Sequence, residues 1–243
     1  MIVIPMAGLS SRFFKAGFEV PKYQLMIKNR YVFDLALKSF ERYFASELFV
    51  IVLRDCFDTE QFVEARLQAL NINNYLIKVL DFETQGQAET VLLGIDTPTI
   101  DDNEPVLIFN IDTFRYNFIK PDFIDDCAGY LEVFRGDGEH WSFIEIDDQE
   151  QVIRTTEKQR ISDLCSDGLY YFASKALYVD LITQAKEQKL LVNNELYIAP
   201  IYNLLIEQGK TVRYHCIDSS EIDFCGTPDE YNELLQNGLK SDP

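Results

Sequence analysis

Met1-Ile2-Val3-Ile4-Pro5-Met6-Ala7-Gly8-Leu9-Ser10-Ser11-Arg12 opens the chain, and Pro21-Lys22 follows shortly after, leading into a second apolar run. The first four residues are unbrokenly apolar, the pattern of a strand buried on both faces. A strand that opens straight into small residues brings backbone N–H groups close to a ligand, because no bulky side chain intervenes. Arg12 and Lys22 add two fixed positive charges to that loop. The combination suits phosphate groups.

Outward from this stretch, apolar runs alternate with helical periodicity. Tyr23 to Ile27 reads as a short strand, and Val32, Leu35, Ala36, Phe40 and Phe44 recur at helical spacing. Strands are expected at Leu48 to Leu53, Tyr75 to Leu80 and Pro105 to Phe109, with helices from Thr59 to Leu70 and from Gln87. Continuous apolar strands between amphipathic helices imply a parallel sheet covered on both faces. Past Asp112 the pattern shifts to closely spaced extended segments, at Tyr130 to Phe134, Trp141 to Ile146, Val152 to Thr156 and Leu169 to Phe172. These read as mixed or antiparallel sheet. Helices return at Lys175 to Glu187, Ile198 to Gln208 and Pro228 to Gln236, with a strand at Thr211 to Ile217. No linker or repeat divides the chain, so the expectation is one domain over 1–243 with two lobes, 1–112 and 113–243.

Composition narrows the class. The 243 residues are 47% hydrophobic and carry a formal charge of −18. That length supports a sizeable core, and so negative a surface repels the phosphate backbone of nucleic acid. The same charge makes Arg12, Lys22 and divalent cations more necessary at any nucleotide site. Neither a signal peptide nor a membrane span is legible, so no membrane partner is expected and the expected location is the cytoplasm. Five cysteines without CxxC spacing read as reduced, buried thiols, and two histidines make a His-based zinc site or a Ser-His-Asp triad an unpromising basis for chemistry.

The run Ala7-Gly8-Leu9-Ser10-Ser11-Arg12-Phe13, with Pro21-Lys22 after it, resembles the signature of the nucleotidyltransferases that activate sugar phosphates and related phosphate esters. Ser10 stands where many relatives have a second glycine, which narrows the backbone conformations open to the loop. The resemblance implies a three-layer α/β/α, Rossmann-like sheet, mixed in character, with a small antiparallel lobe on the acceptor side. It also implies an Mg²⁺-dependent reaction between a nucleoside triphosphate and a small phosphorylated acceptor, with release of pyrophosphate, in the setting of cell-surface polysaccharide precursors. Met6, Ala7, Gly8, Leu9, Ser10 and Ser11 would then bind the nucleotide, and Arg12 and Lys22 would act in catalysis.

Asp112 lies just past the carboxyl end of an apolar strand, where open α/β sheets place ligands. The family has an Asn-Gly-Asp-like segment here whose Asp holds the catalytic Mg²⁺, so the resemblance makes Asp112 both catalytic residue and metal ligand, with Ile111 in place of the glycine. Asp223-Phe224-Cys225-Gly226-Thr227-Pro228 is similar to a late Asp-x-Gly-Thr-Pro segment that supplies the other ligand. Asp223 sits one residue early, and a bulge would be needed to swing it inward. On residue chemistry alone, Thr227-Pro228-Asp229-Glu230 is a helix start. Gln85-Gly86-Gln87 matches a segment that floors the base, where Gly86 allows close approach and the amides offer donors and acceptors. Glu157, Lys158, Gly168 and Tyr170 fall in segments similar to those lining the acceptor pocket; Trp141 and Glu195 are further candidates. A glycosyltransferase of related architecture and a non-catalytic nucleotide- or sugar-binding module remain as alternatives.

Overall fold

The computed structural model describes residues 1–241. In chain order its elements are β1 (Ile2–Pro5), α1 (Ser11–Lys15), β2 (Met26–Ile27), β3 (Arg30–Tyr31), α2 (Val32–Lys38), β4 (Phe49–Arg54) and α3 (Thr59–Ala69). There follow β5 (Tyr75–Leu80), α4 (Gln87–Ile95), β6 (Val106–Phe109), β7 (Thr113–Arg115), β8 (Gly129–Arg135), β9 (Ser142–Ile146) and β10 (Val152–Glu157). The last are β11 (Leu164–Phe172), α5 (Lys175–Glu187), α6 (Tyr202–Glu207), β12 (Val212–Ile217), β13 (Ile222–Phe224) and α7 (Pro228–Asn237). The fold class is α/β with a large mixed sheet.

Contacts divide the chain into two compact units. Unit I takes Met1–Val3, Thr84–Phe109 and Lys120–Ser219; unit II takes Ile4–Glu83, Asn110–Ile119 and the chain from Ser220 onward.

In unit I, β1 pairs parallel with β6, with Ile2 opposite Leu107 and Val3 opposite Ile108. β6 pairs antiparallel with β11, which in turn pairs with β8 and β9; β10 extends β9, and β12 runs parallel to β8. β1 and β6 are purely apolar and almost wholly buried because helices and sheet neighbours leave them no wet face. β11 is longer than its apolar run suggests. It includes Ser166, Asp167 and Gly168, all buried, and its register slips between Ser166 and Tyr170 around Gly168, whose φ is +93°. That bulge lets a polar stretch enter the sheet interior.

In unit II, β4 and β5 pair parallel from Phe49 opposite Tyr75 to Arg54 opposite Leu80. The expected strand from Tyr23 to Ile27 is mostly replaced by a 3₁₀ turn at Lys22–Gln24, and only Met26–Ile27 is extended. Those two residues pair with Arg30–Tyr31 across Lys28-Asn29, both at positive φ, which is the geometry of a type I′ hairpin. The expected long helix from Val32 ends at Lys38, and a separate 3₁₀ turn carries Glu41–Tyr43. β13 pairs antiparallel with β7, placing Asp223 opposite Phe114 and Phe224 opposite Thr113.

Candidate active site

The opening loop and the mid-chain aspartate fall in the same unit, and the structure joins them. The loop is pinned at both ends. Met6 donates its N–H to the carbonyl of Val52 at 2.8 Å, while Phe13, fully buried, anchors α1 against Phe18 and Tyr231. Ser10 takes up φ 51° and ψ 30°, the left-handed region that glycine enters freely and other residues enter at a cost. Its carbonyl accepts from the Phe13 and Phe14 amides at 2.9 and 3.2 Å, and its hydroxyl accepts from the Lys22 amide at 3.3 Å. The serine therefore keeps the glycine conformation and uses its side chain to fasten the Pro-Lys segment. Strain of this kind persists where surrounding structure holds it, and it is concentrated at functional sites.

Gly8 is a different case. A Cβ built there meets no heavy atom within 4 Å, and its φ is outside the left-handed region. The face of the loop at this position is open, with room for an approaching group.

Lys22 follows Pro21 and precedes Tyr23, whose buried hydroxyl bonds Thr59 at 2.9 Å. Held in this way, the Lys22 ammonium reaches Asp112 Oδ2 at 2.5 Å, with a fifth of each side chain exposed. Asp112 is steadied from behind by the Cys225 amide, which donates to its carbonyl at 2.7 Å. Ile111, where the family has glycine, packs into the core. Burial pushes the Asp112 carboxyl up, but the Lys22 ammonium and its hydrogen bond, with help from Arg12, reverse this and hold it below the ordinary carboxylate range. Asp112 is thus a carboxylate at neutral pH, with Arg12 and Lys22 as its cations.

Two residues of the late segment, Cys225 and Gly226, lie beside Asp112, a placement that the sequence reading did not assign them. A Cβ on Gly226 would lie 3.0 Å from Asp112 Oδ2, so glycine leaves the carboxylate its room. The Cys225 thiol is kept protonated by burial and by the Asp112 charge. The helix start read at Thr227 is present in full. Thr227 Oγ1 accepts from the Glu230 amide at 3.2 Å, and Glu230 Oε2 accepts from the Gly226 and Thr227 amides at 2.8 Å each.

Asp223, the expected second metal ligand, is buried on β13 and held by partners of this chain. Its Oδ2 accepts from the Tyr116 hydroxyl at 2.5 Å and from the Lys240 amide at 2.9 Å, and Oδ1 faces Lys240 Nζ at 3.8 Å. Alternation along β13 and its pairing with Phe114 fix that orientation, and no bulge is present to turn it. Asp112 fits a magnesium ion by itself: Mg²⁺ needs one or two carboxylates and takes its other ligands from phosphate oxygens and water. Among the described residues, no group of three or more His, Cys, Asp or Glu side chains is placed to hold a metal without such help.

The other candidates lie in unit I. The Ser142 hydroxyl donates to Glu157 Oε2 and lies 3.3 Å from the Tyr170 hydroxyl. Burial lifts the Glu157 carboxyl above its ordinary value, against the Ser142 bond and Lys158, and Glu195 adds to the lift. Lys158 reaches the Tyr197 hydroxyl and sits 4.3 Å over its ring, while its amide donates to the Trp141 carbonyl at 2.9 Å. Glu157, Lys158, Tyr170, Trp141 and Glu195 are therefore one neighbourhood, built on β9, β10 and β11, and Gly168 shapes β11 two residues before Tyr170. Gly86 is required locally: at φ +148°, a Cβ there would come within 2.6 Å of the Leu196 backbone. The Gln85 carbonyl accepts from that same Leu196 amide, and Gln87 begins α4.

No family model matches the chain, and no curated protein does. Among solved structures, a nucleoside-diphosphate-sugar pyrophosphorylase from Vibrio cholerae RC9 is 45% identical, with a TM-score of 0.93, over 97% of this chain and 100% of that one. A putative glucose-1-phosphate thymidylyltransferase from Bacillus anthracis matches at 16% identity and TM-score 0.76, over 100% of this chain and 96% of the other. The inositol-1-phosphate CTP transferase from T. maritima matches at 15% identity and TM-score 0.73, over 99% and 95%. The last two share the fold.

Proposed function

The chain belongs to the sugar-phosphate nucleotidyltransferase family, and from that premise we propose that it joins a nucleoside triphosphate to a small phosphorylated acceptor with release of pyrophosphate. The observation that carries the reading is the Lys22–Asp112 ion pair, in the same unit as a loop whose face is open at Gly8.

An acceptor phosphate oxygen attacks the α-phosphorus, a new P–O bond forms, and the bond to the β-phosphate bridging oxygen breaks to release pyrophosphate. A phosphate monoester is already anionic at neutral pH, so the attack needs no general base. That accounts for a site with cations and one carboxylate but no histidine. The work left to the protein is orientation and charge neutralisation. Lys22 and Arg12 hold phosphate oxygens, and the Gly8 to Ser11 backbone donates to the triphosphate. Asp112 is the residue that would hold Mg²⁺, which would supply charge neutralisation to the phosphates. Taken by itself, the group of Glu157, Ser142 and Lys158 suits a ligand with hydroxyls and a phosphate.

The test is a matrix of five nucleoside triphosphates, with Mg²⁺, against sugar 1-phosphates, phosphocholine and other small phosphate esters, scored by pyrophosphate. One nucleotide and one acceptor should stand out. No pyrophosphate from any pair would overturn the assignment, and transfer from a nucleotide sugar instead would establish the glycosyltransferase alternative.

A further inference from the structure

The loop from β4 to α3, residues 55–58, supplies no group to the chemistry above, yet it holds backbone strain. Phe57 and Asp58 sit at φ 62° and 52°, consecutive left-handed residues of which neither is glycine. Ties run from this loop, and from Thr59 at the start of α3, to the segments that bear the cations of unit II. Tyr23, next to Lys22, bonds its buried hydroxyl to Thr59 Oγ1 at 2.9 Å. Gln24 Nε2 donates to the Phe57 carbonyl at 3.1 Å. The Phe57 ring stacks on Phe14 of α1, the helix that carries Arg12, with ring centres 5.1 Å apart and planes 19° from parallel.

The direction of the Tyr23–Thr59 bond follows from the protons at hand. Thr59 is fully buried, and its hydroxyl donates to the Cys56 carbonyl. A hydroxyl has one proton to give, so the Tyr23 phenol is the donor and Thr59 Oγ1 the acceptor. The two bonds form a chain out of water, where each polarises the next. On its other side the same turn is fastened by Ser10, whose hydroxyl accepts from the Lys22 amide at 3.3 Å. A lysine ammonium rides on a flexible four-carbon stem, so the placing of its backbone decides what it reaches. We infer that Thr59 is a positioning residue for the reaction: through the Tyr23 hydroxyl it fixes the turn that presents Lys22 to Asp112. The inference rests on the nucleotidyltransferase reading above and deepens it. A clasp needed for folding alone would serve as well with phenylalanine against valine, since replacing both partners of a buried hydrogen bond by apolar groups of the same shape is nearly neutral for stability.

The values of kcat and KM for the best nucleotide and acceptor are measured by pyrophosphate release well below the melting temperature of each variant. Tyr23→Phe and Thr59→Val each lower kcat about tenfold and move either KM by less than about twofold, because the loss is one of placement in the transition state. Thr59→Ser keeps the hydroxyl and stays within about twofold of wild type. The double variant Tyr23→Phe/Thr59→Val melts no lower than Thr59→Val, yet its kcat stays as low as that of either single variant, since all three break one bond. Tyr23→Phe preserves volume and leaves Thr59 bonded to Cys56, so it decides the matter even if Thr59→Val does not fold. A folded Tyr23→Phe with wild-type kcat, an equal loss in Thr59→Ser and Thr59→Val, or a double variant whose loss is the product of the two single losses overturns the role of Thr59 while turnover by the wild-type chain stands. No turnover of any nucleotide by the wild-type chain overturns both readings.

Discussion

Replacing Gly8 by alanine separates the needs of folding from those of the ligand. In the free protein the added methyl meets no heavy atom within 4 Å, and the φ of Gly8 lies outside the left-handed range that penalises alanine. Stability should therefore rise, because alanine narrows the unfolded ensemble; the gain is about 0.4–1 kcal/mol, or roughly 1–4 °C in melting temperature for a chain of this size. Activity should move the other way. Gly8 lines a cavity of about 400 Å³ together with Met6, Ala7 and Leu9, so its methyl occupies the face on which a nucleotide would rest. A displacement of about 1 Å at a reacting centre costs roughly a hundredfold, or about 2.7 kcal/mol of transition-state stabilisation. Differential scanning fluorimetry gives the first quantity, and pyrophosphate release with the best nucleotide and acceptor gives the second. A Gly8→Ala variant with wild-type kcat/KM would falsify the placement of the nucleotide; one with a lowered melting temperature would show that the glycine is structural after all.

Other perturbations test separate parts of the site. Asp112→Asn and Lys22→Ala should each lower kcat by at least about 10²-fold with a cooperative melt retained, since each removes a charge that neutralises phosphate and neither side chain is core; full turnover in either variant removes that residue from the chemistry. Glu157 is lifted above its ordinary value of 4.5 by burial, so its ionisation opposes folding: the penalty is absent below that value and grows as pH rises through the folded value. Glu157→Gln should accordingly be more stable than wild type at pH 8, with the advantage vanishing toward pH 4, and should bind acceptor less tightly; a constant stability difference across that range would count against it. Thr227→Ala removes the α7 cap and should cost about 1 kcal/mol in chemical denaturation, and no change would mean that Glu230 alone holds the helix start.

Much of the fold was legible because apolar runs report burial directly. Tyr75–Leu80 and Lys175–Glu187 run where their periodicity places them. The same signal misleads where burial and backbone geometry part company. Phe40 is buried at a helical spacing from Ala36, yet it lies beyond the end of α2, because a turn can continue to bury a face after its hydrogen bonding has changed. The first half of β11 was missed for the converse reason. Ser166 and Asp167 are buried, and hydropathy does not identify polar residues that the sheet interior accepts. At the site, the loop and Asp112 could be named because their residue types state their chemistry. Asp223 could be named but not oriented, since its fate depends on Tyr116 and Lys240, distant in sequence from the segment in which it was read.

Unit II is assembled from three separated stretches, and the amide that steadies Asp112 belongs to the last of them. During synthesis, then, the aspartate leaves the ribosome more than a hundred residues before Cys225 arrives to hold it. Until that last stretch is made, the Asp112 backbone carbonyl lacks the amide that fastens it in the finished fold.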